Sequence, residues 1–334
     1  MTDNASPPPI TSRPRRSVYA LLGGHALWYA DVCLNSLLDN ALEPLDFVII
    51  TDGLSDREQI RAAIKPHAAH HTVAIYTKDD ADARAAEIFK NFPRVQAFRN
   101  GHPCWRKCTD PQLFAAPDQE LIILDPDVYF PNKFTFEPTP ATGLLLMRQI
   151  PNCLFPKESV EAAFDARIPM ADKTDIGVAQ LRNGIDPAWF EAFCGKLEDR
   201  NALDPRYMHI ESIVWAAWAM HAGSGYLDTT AWKCWHRAHW KRIAMIAKMK
   251  GEKILEHETY RRYKCFHATG DAKRWLKPAI ANGAFGTPAT LDQPTPITPF
   301  FEYPRRKFDR EQSLKSFLWK VGYYPLINGV KKKR

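Results

Sequence analysis

Leu121-Ile122-Ile123-Leu124-Asp125-Pro126-Asp127-Val128-Tyr129-Phe130 decides how the rest of the chain is read. Four aliphatic residues in a row predict a short strand buried on both faces. Pro126 has no N–H for a ladder and restrains the backbone, so the strand ends where Asp125 and Asp127 begin. In an open α/β sheet, ligands bind outside the carboxyl ends of the strands. Two neighbouring carboxylates there repel each other, and a hard divalent cation, Mn²⁺ or Mg²⁺, relieves that repulsion. A polar turn closing a strand would have the same local sequence, so the surrounding chain has to decide.

Upstream, the pattern is strand, helix, strand, helix. Ser17 to Leu22 reads as a first strand, closed by Gly23-Gly24-His25, with an apolar-periodic helix from Leu27 to Leu38. Asp46 to Thr51 is a second strand ending in Asp52-Gly53, and Ser55 is placed to cap a helix from Asp56 to Ile64. Thr72 to Tyr76 is a third strand, Ala81 to Phe92 a helix, and Lys107 to Ala116 a further helix. Strands and helices alternating at this spacing imply an α/β fold with a mostly parallel, doubly wound, Rossmann-like sheet. Gly23-Gly24 would let a ligand approach the backbone, or would simply make a turn. Neither a Gly-x-Gly-x-x-Gly fingerprint nor a Walker A loop is present.

Downstream, Gly143 to Ile150 reads as a strand and Ser159 to Phe164 as a short helix. Asp175-Ile176-Gly177-Val178 opens another strand, whose glycine marks a close approach by a ligand or another part of the chain. Helices are expected at Pro187 to Leu197 and His209 to Met220, and a short strand at Tyr226 to Asp228. The run Trp232 to Lys253 is dense in Trp, His, Arg and Lys, and Tyr263 to His267 leads into Ala268-Thr269-Gly270-Asp271-Ala272-Lys273. Three divisions follow: a disordered segment 1–16, one folded domain 17–281, and a tail 282–334 that is Pro-rich, then basic and aromatic.

Composition narrows the partners. The 334 residues are 45% hydrophobic and 25% charged, ordinary for a globular protein with ample length for a core. A net charge of +7 favours anionic partners such as phosphates, nucleotides or acidic headgroups. Seven cysteines, scattered and without a C-x-x-C, predict free thiols and a cytoplasmic setting rather than a disulfide framework or a zinc site. No apolar run approaches the length of a membrane span, and the N-terminal stretch has no signal-like apolar segment. No RNA-recognition signature appears, so nucleic acid is not an expected partner. The Trp232 to Lys250 and Ser313 to Arg334 segments, both basic and aromatic, could rest on the inner face of an anionic membrane or form a solvated basic surface.

Three motifs then fall in order: Asp125-Pro126-Asp127, Asp175-x-Gly177-Val178, and His267-x-x-Gly270-x-x-Lys273-x-Trp275. This resembles the GT-A fold nucleotide-sugar glycosyltransferases, in particular the family 8 group of glycogenin-like and galactosyltransferase-like enzymes. The resemblance runs from about Ser17 to Pro278, and the last motif is the most specific part. It implies a GT-A domain with a smaller acceptor-side part. It also implies a sugar donor, UDP-linked, whose two phosphates bridge through Mn²⁺ or Mg²⁺ held by Asp125, Asp127 and His267. Gly270 and Lys273 would hold the diphosphate, Lys107 would contact donor sugar or phosphate, and Leu22, Gly23 and Tyr29 would cradle the base. Asp175 and Glu211 match positions facing the donor sugar and the acceptor, a glycan, a lipid-linked group or a protein. Retention of anomeric configuration is implied by the resemblance alone.

The chemistry agrees with those assignments. Cleaving a sugar–phosphate bond builds negative charge on the departing diphosphate, which a cation and Lys273 would stabilise where it appears. Asp175 and Glu211 are the carboxylates available to the positive charge growing at the anomeric carbon. The chain departs from the pattern at three places: Asp175 stands where Asn is usual, Arg274 where Pro is usual, and His209-Ile210-Glu211 where Asp-Gln-Asp is usual. Two other functions share parts of the signal. A haloacid-dehalogenase-like phosphatase also ends a strand in Asp-x-Asp and would use Asp125 as nucleophile, and a non-catalytic nucleotide-sugar-binding protein would keep the site without the reaction.

Overall fold

The structure, a computed structural model, describes residues 12–323. The strands are β1 (Arg16–Leu21), β2 (Leu45–Thr51), β3 (Thr72–Thr77), β4 (Glu120–Leu124), β5 (Val128–Tyr129), β6 (Lys133–Phe134) and β7 (Leu144–Arg148). They continue with β8 (Thr174–Arg182), β9 (Ser224–Tyr226), β10 (Trp232–Cys234), β11 (Cys265–His267), β12 (Thr290–Leu291) and β13 (Thr298–Pro299). Eight of them form one sheet in the order β13-β9-β7-β8-β4-β1-β2-β3. The half from β4 to β3 is parallel, β8 runs antiparallel to both β4 and β7, and β7 pairs parallel with β9. The fold is therefore α/β around a mixed, mostly parallel sheet.

The central strand behaves as its composition demands. Leu121 and Ile123 pack into the core on one face of the sheet, Ile122 and Leu124 into the core on the other. Burial on both faces explains why the run shows no apolar–polar alternation. The neighbouring strand β1 splits the same way, with Tyr19 on one side and Val18 and Ala20 on the other.

Two small arrangements position the site. Because β8 is antiparallel to β4, its first residues lie beside the carboxyl end of β4, which brings Asp175 next to the acid pair. Immediately after Asp127 the chain forms β5, which pairs antiparallel with β11 so that Val128 faces His267. β10 flanks β11 on its other side.

The structure corrects several local expectations. The stretch Lys107 to Ala116 is not a helix: two 3₁₀ turns, Pro103–Cys108 and Pro111–Phe114, replace it. Pro111 cannot continue a helix through its own N–H, and the buried Asp110 before it receives hydrogen bonds from Arg99 and Arg106. Ser55 does not cap the following helix, which spans Leu54–Ala63 with Gly53 at its N-cap. The next helix starts at Lys78, earlier than expected, because Thr77 and Asp80 form a capping box. A separate short helix, Pro93–Arg99, follows it.

At the N-terminal side, part of the segment expected to be disordered lies outside the described residues, while Arg16 already belongs to β1 and Arg15 bonds Asp46 at 2.9 Å. After Asn282 the chain adds β12 beside β6 and β13 beside β9, then a helix Arg305–Lys320 with Phe308 buried. The closing Lys331 to Arg334 run lies outside the described residues.

Candidate active site at the carboxyl end of the central strand

A cavity of about 390 Å³ opens over the ends of β1, β4 and β8. Its wall contains every residue singled out from the sequence: Leu22, Gly23, Tyr29, Lys107, Asp125, Asp127, Asp175, Glu211, His267, Gly270 and Lys273. Their positions are more informative than their co-occurrence.

Asp125, Asp127 and His267 converge, each offering one ligand atom within 4.8 Å of the others. His267 Nε2 lies 3.2 Å from Asp127 Oδ1 and 3.6 Å from Asp125 Oδ2. Its other nitrogen, Nδ1, lies 2.8 Å from Asp175 Oδ1. A carboxylate behind an imidazole fixes the ring's orientation and raises its basicity, the usual support of a metal-ligating histidine. Two carboxylate oxygens and one imidazole nitrogen form a donor set that can hold a divalent metal ion, so the residues fit a metal site.

Asp175 is thereby placed behind His267. Its carboxylate also accepts the Gly177 N–H at 2.9 Å and the Cys234 thiol at 3.3 Å. Gly177 is a glycine because the His267 ring lies against it: a Cβ there would stand 2.4 Å from Nδ1. The close approach expected from this strand glycine is that of the imidazole.

The cations are equally committed. Lys107 is buried and donates to Asp125 Oδ1 at 2.6 Å and to the Ile176 carbonyl. It braces Asp125 against β8 while lining the cavity. Lys273, in the first turn of the helix Ala272–Ala281, reaches Asp127 Oδ2 at 2.9 Å and lies over the Tyr29 ring. The loop before this helix is tied down by Ala268 N–H to the Asp127 carbonyl and by Thr269 Oγ to the Trp235 carbonyl. Gly270 turns it with a φ of +58°, in the left-handed region that favours glycine.

Charge and burial oppose each other throughout. Burial alone would raise the Asp127 and Asp175 carboxyls, but His267, and for Asp127 also Lys273, hold both below the usual range. Burial would likewise lower His267, and the two carboxylates raise it well above its ordinary value. Glu211 lacks such compensation. It is pushed up to about 8, by burial first, with Lys107 pulling down and Asp125 pushing up. Its Oε2 is buried without a hydrogen-bond partner among the described residues. Burial thus favours the protonated form of Glu211, in which it can donate a hydrogen bond into the cavity.

Residues not assigned from the sequence also line it: Asp52, Arg106, Gln149, Cys153 and His209. Asp52 stood at the end of the second strand, where the same strand-end argument could have found it. Arg106 carried no signal. It is fixed by Asp110, lies 3.6 Å from Asp52, and its buried Nη2 has no hydrogen-bond partner among the described residues. All seven cysteines are free. Among the described residues no helix is long and apolar enough to cross a membrane.

Searches against known proteins gave structural likeness only. No protein-family model matches the chain, and no curated protein sequence does. Among solved structures, apo mouse xyloside xylosyltransferase 1 is similar over 78% of this chain and 99% of its own, at 14% identity and a TM-score of 0.47. The apo glycosyltransferase GlyE of Streptococcus pneumoniae is similar over 80% of this chain and 60% of its own, at 13% identity and 0.42. An active-site mutant of LgtC is similar over 79% of this chain and 95% of its own, at 14% identity and 0.40.

Proposed function

We propose that the chain is a metal-dependent glycosyltransferase that moves a sugar from a nucleoside-diphosphate sugar, UDP-linked, to a glycan, lipid-linked or protein acceptor. One observation carries this reading: Asp125, Asp127 and an Asp175-supported His267 converge beside Lys273 in a cavity at the carboxyl end of the central strand. The order of the three motifs in the sequence supports it independently.

Asp125, Asp127 and His267 would hold Mn²⁺ or Mg²⁺, which when bound supplies positive charge to a departing diphosphate. Lys273 now spends its charge on Asp127. With that carboxylate committed to a metal, the Lys273 ammonium would be free to meet a phosphate oxygen. The Gly270 turn offers backbone to the same anion. Leu22, Gly23 and Tyr29 form the wall beside the end of β1, where a flat base can lie. Glu211, protonated and unpartnered, hydrogen-bonds a sugar hydroxyl or the acceptor. Asp175 works through His267 and adds a negative field near the sugar. Retention of configuration follows from the motif resemblance.

Calorimetric titration with UDP, with and without Mn²⁺, tests the reading on the parent and on Asp125→Ala/Asp127→Ala. Metal-dependent binding that vanishes in the double variant is expected, followed by product formation with one of a panel of UDP-sugars. A parent that binds neither UDP nor GDP under either condition refutes it. Release of phosphate from small phosphomonoesters would favour the phosphatase chemistry instead.

A further inference from the structure

We propose that the helix His239–Ile246 and the turn to Lys250 form a docking face for an anionic lipid bilayer. The inference is independent of the transferase reading. The helix is amphipathic in an unusual sense. Its inward residues are Lys241, which pairs with Glu258 over the Trp235 ring, and Ala244, and both are buried. Its outward residues are large and apolar: Trp240, Ile243, Ile246 and, just beyond it, Met249 are 42%, 67%, 56% and 43% exposed. Single exposed apolar side chains need no explanation, but four within ten residues along one stripe do.

Charge selects the occupant. From Trp232 to Lys250 the chain carries six Lys and Arg and no carboxylate, and two of the six, Lys241 and Arg237, pair with Glu258 and Asp271. Lys248 and Lys250 are exposed at the end of the apolar stripe. Apolar side chains flanked by cations, on a helix far too short to span a membrane, match a headgroup–acyl boundary of negative charge. A second copy meeting this face with the same face would set Lys248 and Lys250 against like charges.

The position gives such a contact a consequence. Four residues link β10 to the helix, and within them the Trp235 carbonyl accepts the Thr269 hydroxyl at 2.8 Å, next to Gly270 on the cavity wall. The helix is thereby tied, through Trp235 and Thr269, to the loop that carries Gly270.

Co-sedimentation of the full chain with vesicles of phosphatidylglycerol and phosphatidylcholine, against phosphatidylcholine alone, tests the proposal. Binding to the anionic vesicles is expected, weakening as salt is raised. Ile243→Asp/Ile246→Asp should lower the partition coefficient by at least about tenfold. Both residues are exposed, so the far-ultraviolet circular dichroism should not change. A second variant, Leu314→Asp/Phe317→Asp, places the same charges on the exposed apolar side chains of the Arg305–Lys320 helix and should leave most binding intact. No binding to anionic vesicles overturns the proposal, as does loss of binding in the second variant but not the first. A dimer of the parent that Ile243→Asp/Ile246→Asp dissolves would overturn it too, by assigning the face to a second copy.

Discussion

Gly177→Ala is the sharpest perturbation available, because it adds one methyl group behind the candidate metal site and touches nothing in front of it. An ideal Cβ at position 177 falls 2.4 Å from His267 Nδ1, 2.7 Å from its Cγ and 2.9 Å from Asp175 Oδ1. Ordinary contact begins at 3.4 Å, so the ring must retreat by about 1 Å (3.4 − 2.4). That retreat stretches the 2.8 Å contact between Asp175 and Nδ1 and carries Nε2 away from Asp125 and Asp127. Metal–ligand distances tolerate about 0.2 Å. Loss of an outer-shell support of this kind costs about 10–100-fold in metal affinity. Gly177 sits where the β7–β8 register breaks, but its φ is not in the left-handed region, so alanine itself is acceptable there and the fold should survive. The assay is titration of Mn²⁺ into the UDP-saturated protein, with circular dichroism as the check on folding. An unchanged Mn²⁺ affinity in a folded Gly177→Ala variant would refute the claim that the imidazole is a ligand held in place by Asp175.

Three further outcomes follow from the same geometry. Asp175→Asn keeps an oxygen able to accept from His267 Nδ1 but removes the charge, so metal affinity should fall less than about tenfold, while Asp175→Ala should match Gly177→Ala. Equal losses in Asn and Ala would show that the negative charge, not the orienting contact, is what matters. Glu211 keeps its proton up to a pH of about 8 when folded, against 4.5 for the ordinary carboxyl, so the native state binds more protons than the unfolded state between those values. Its contribution to stability is therefore full below pH 4.5 and is lost as pH rises toward 8. Glu211→Gln should gain stability on the parent across that window, by at most about 5 kcal/mol (3.5 × 1.36) above it. Urea unfolding at pH 5 and pH 9 measures this, and a difference that does not grow with pH would contradict it. Arg16 binds Glu43 at 2.6 Å and Glu120 at 2.7 Å, all with little exposure, so Arg16→Met strands two carboxylates and should cost about 3–5 kcal/mol in chemical denaturation. A loss below about 1 kcal/mol would mean that water reaches this cluster.

What the sequence made legible was what backbone periodicity and strand-end chemistry control. The run Leu121–Leu124 had to be a doubly buried strand, Pro126 had to end it, and two acids therefore had to stand where the sheet opens. Gly177 advertised a close approach by lacking a side chain in an otherwise apolar strand. The partner that approaches it was beyond reach, because the pairing of β5 with β11 that delivers His267 joins segments more than a hundred residues apart. The ion pairs around Asp110 and Asp125 were hidden for a different reason: their partners are near in sequence but meet only because the stretch is buried as two 3₁₀ turns. Lys107 and Asp110 fall in the stretch that reads as a helix from Lys107 to Ala116, where charges face solvent, and Arg106 just before it carries no signal. Buried beside Asp125, Arg99 and one another's charges, they are instead struts that fix an irregular stretch against the end of the central strand. A solvated helix would have left the Lys107 ammonium free for substrate. Pinned between Asp125 and the Ile176 carbonyl, it holds one carboxylate of the acid pair still while Lys273 remains the cation that can change partners. The division of labour between the two lysines is a property of their burial: Lys107 is enclosed, whereas Lys273 is a third exposed to the cavity in which a diphosphate would arrive.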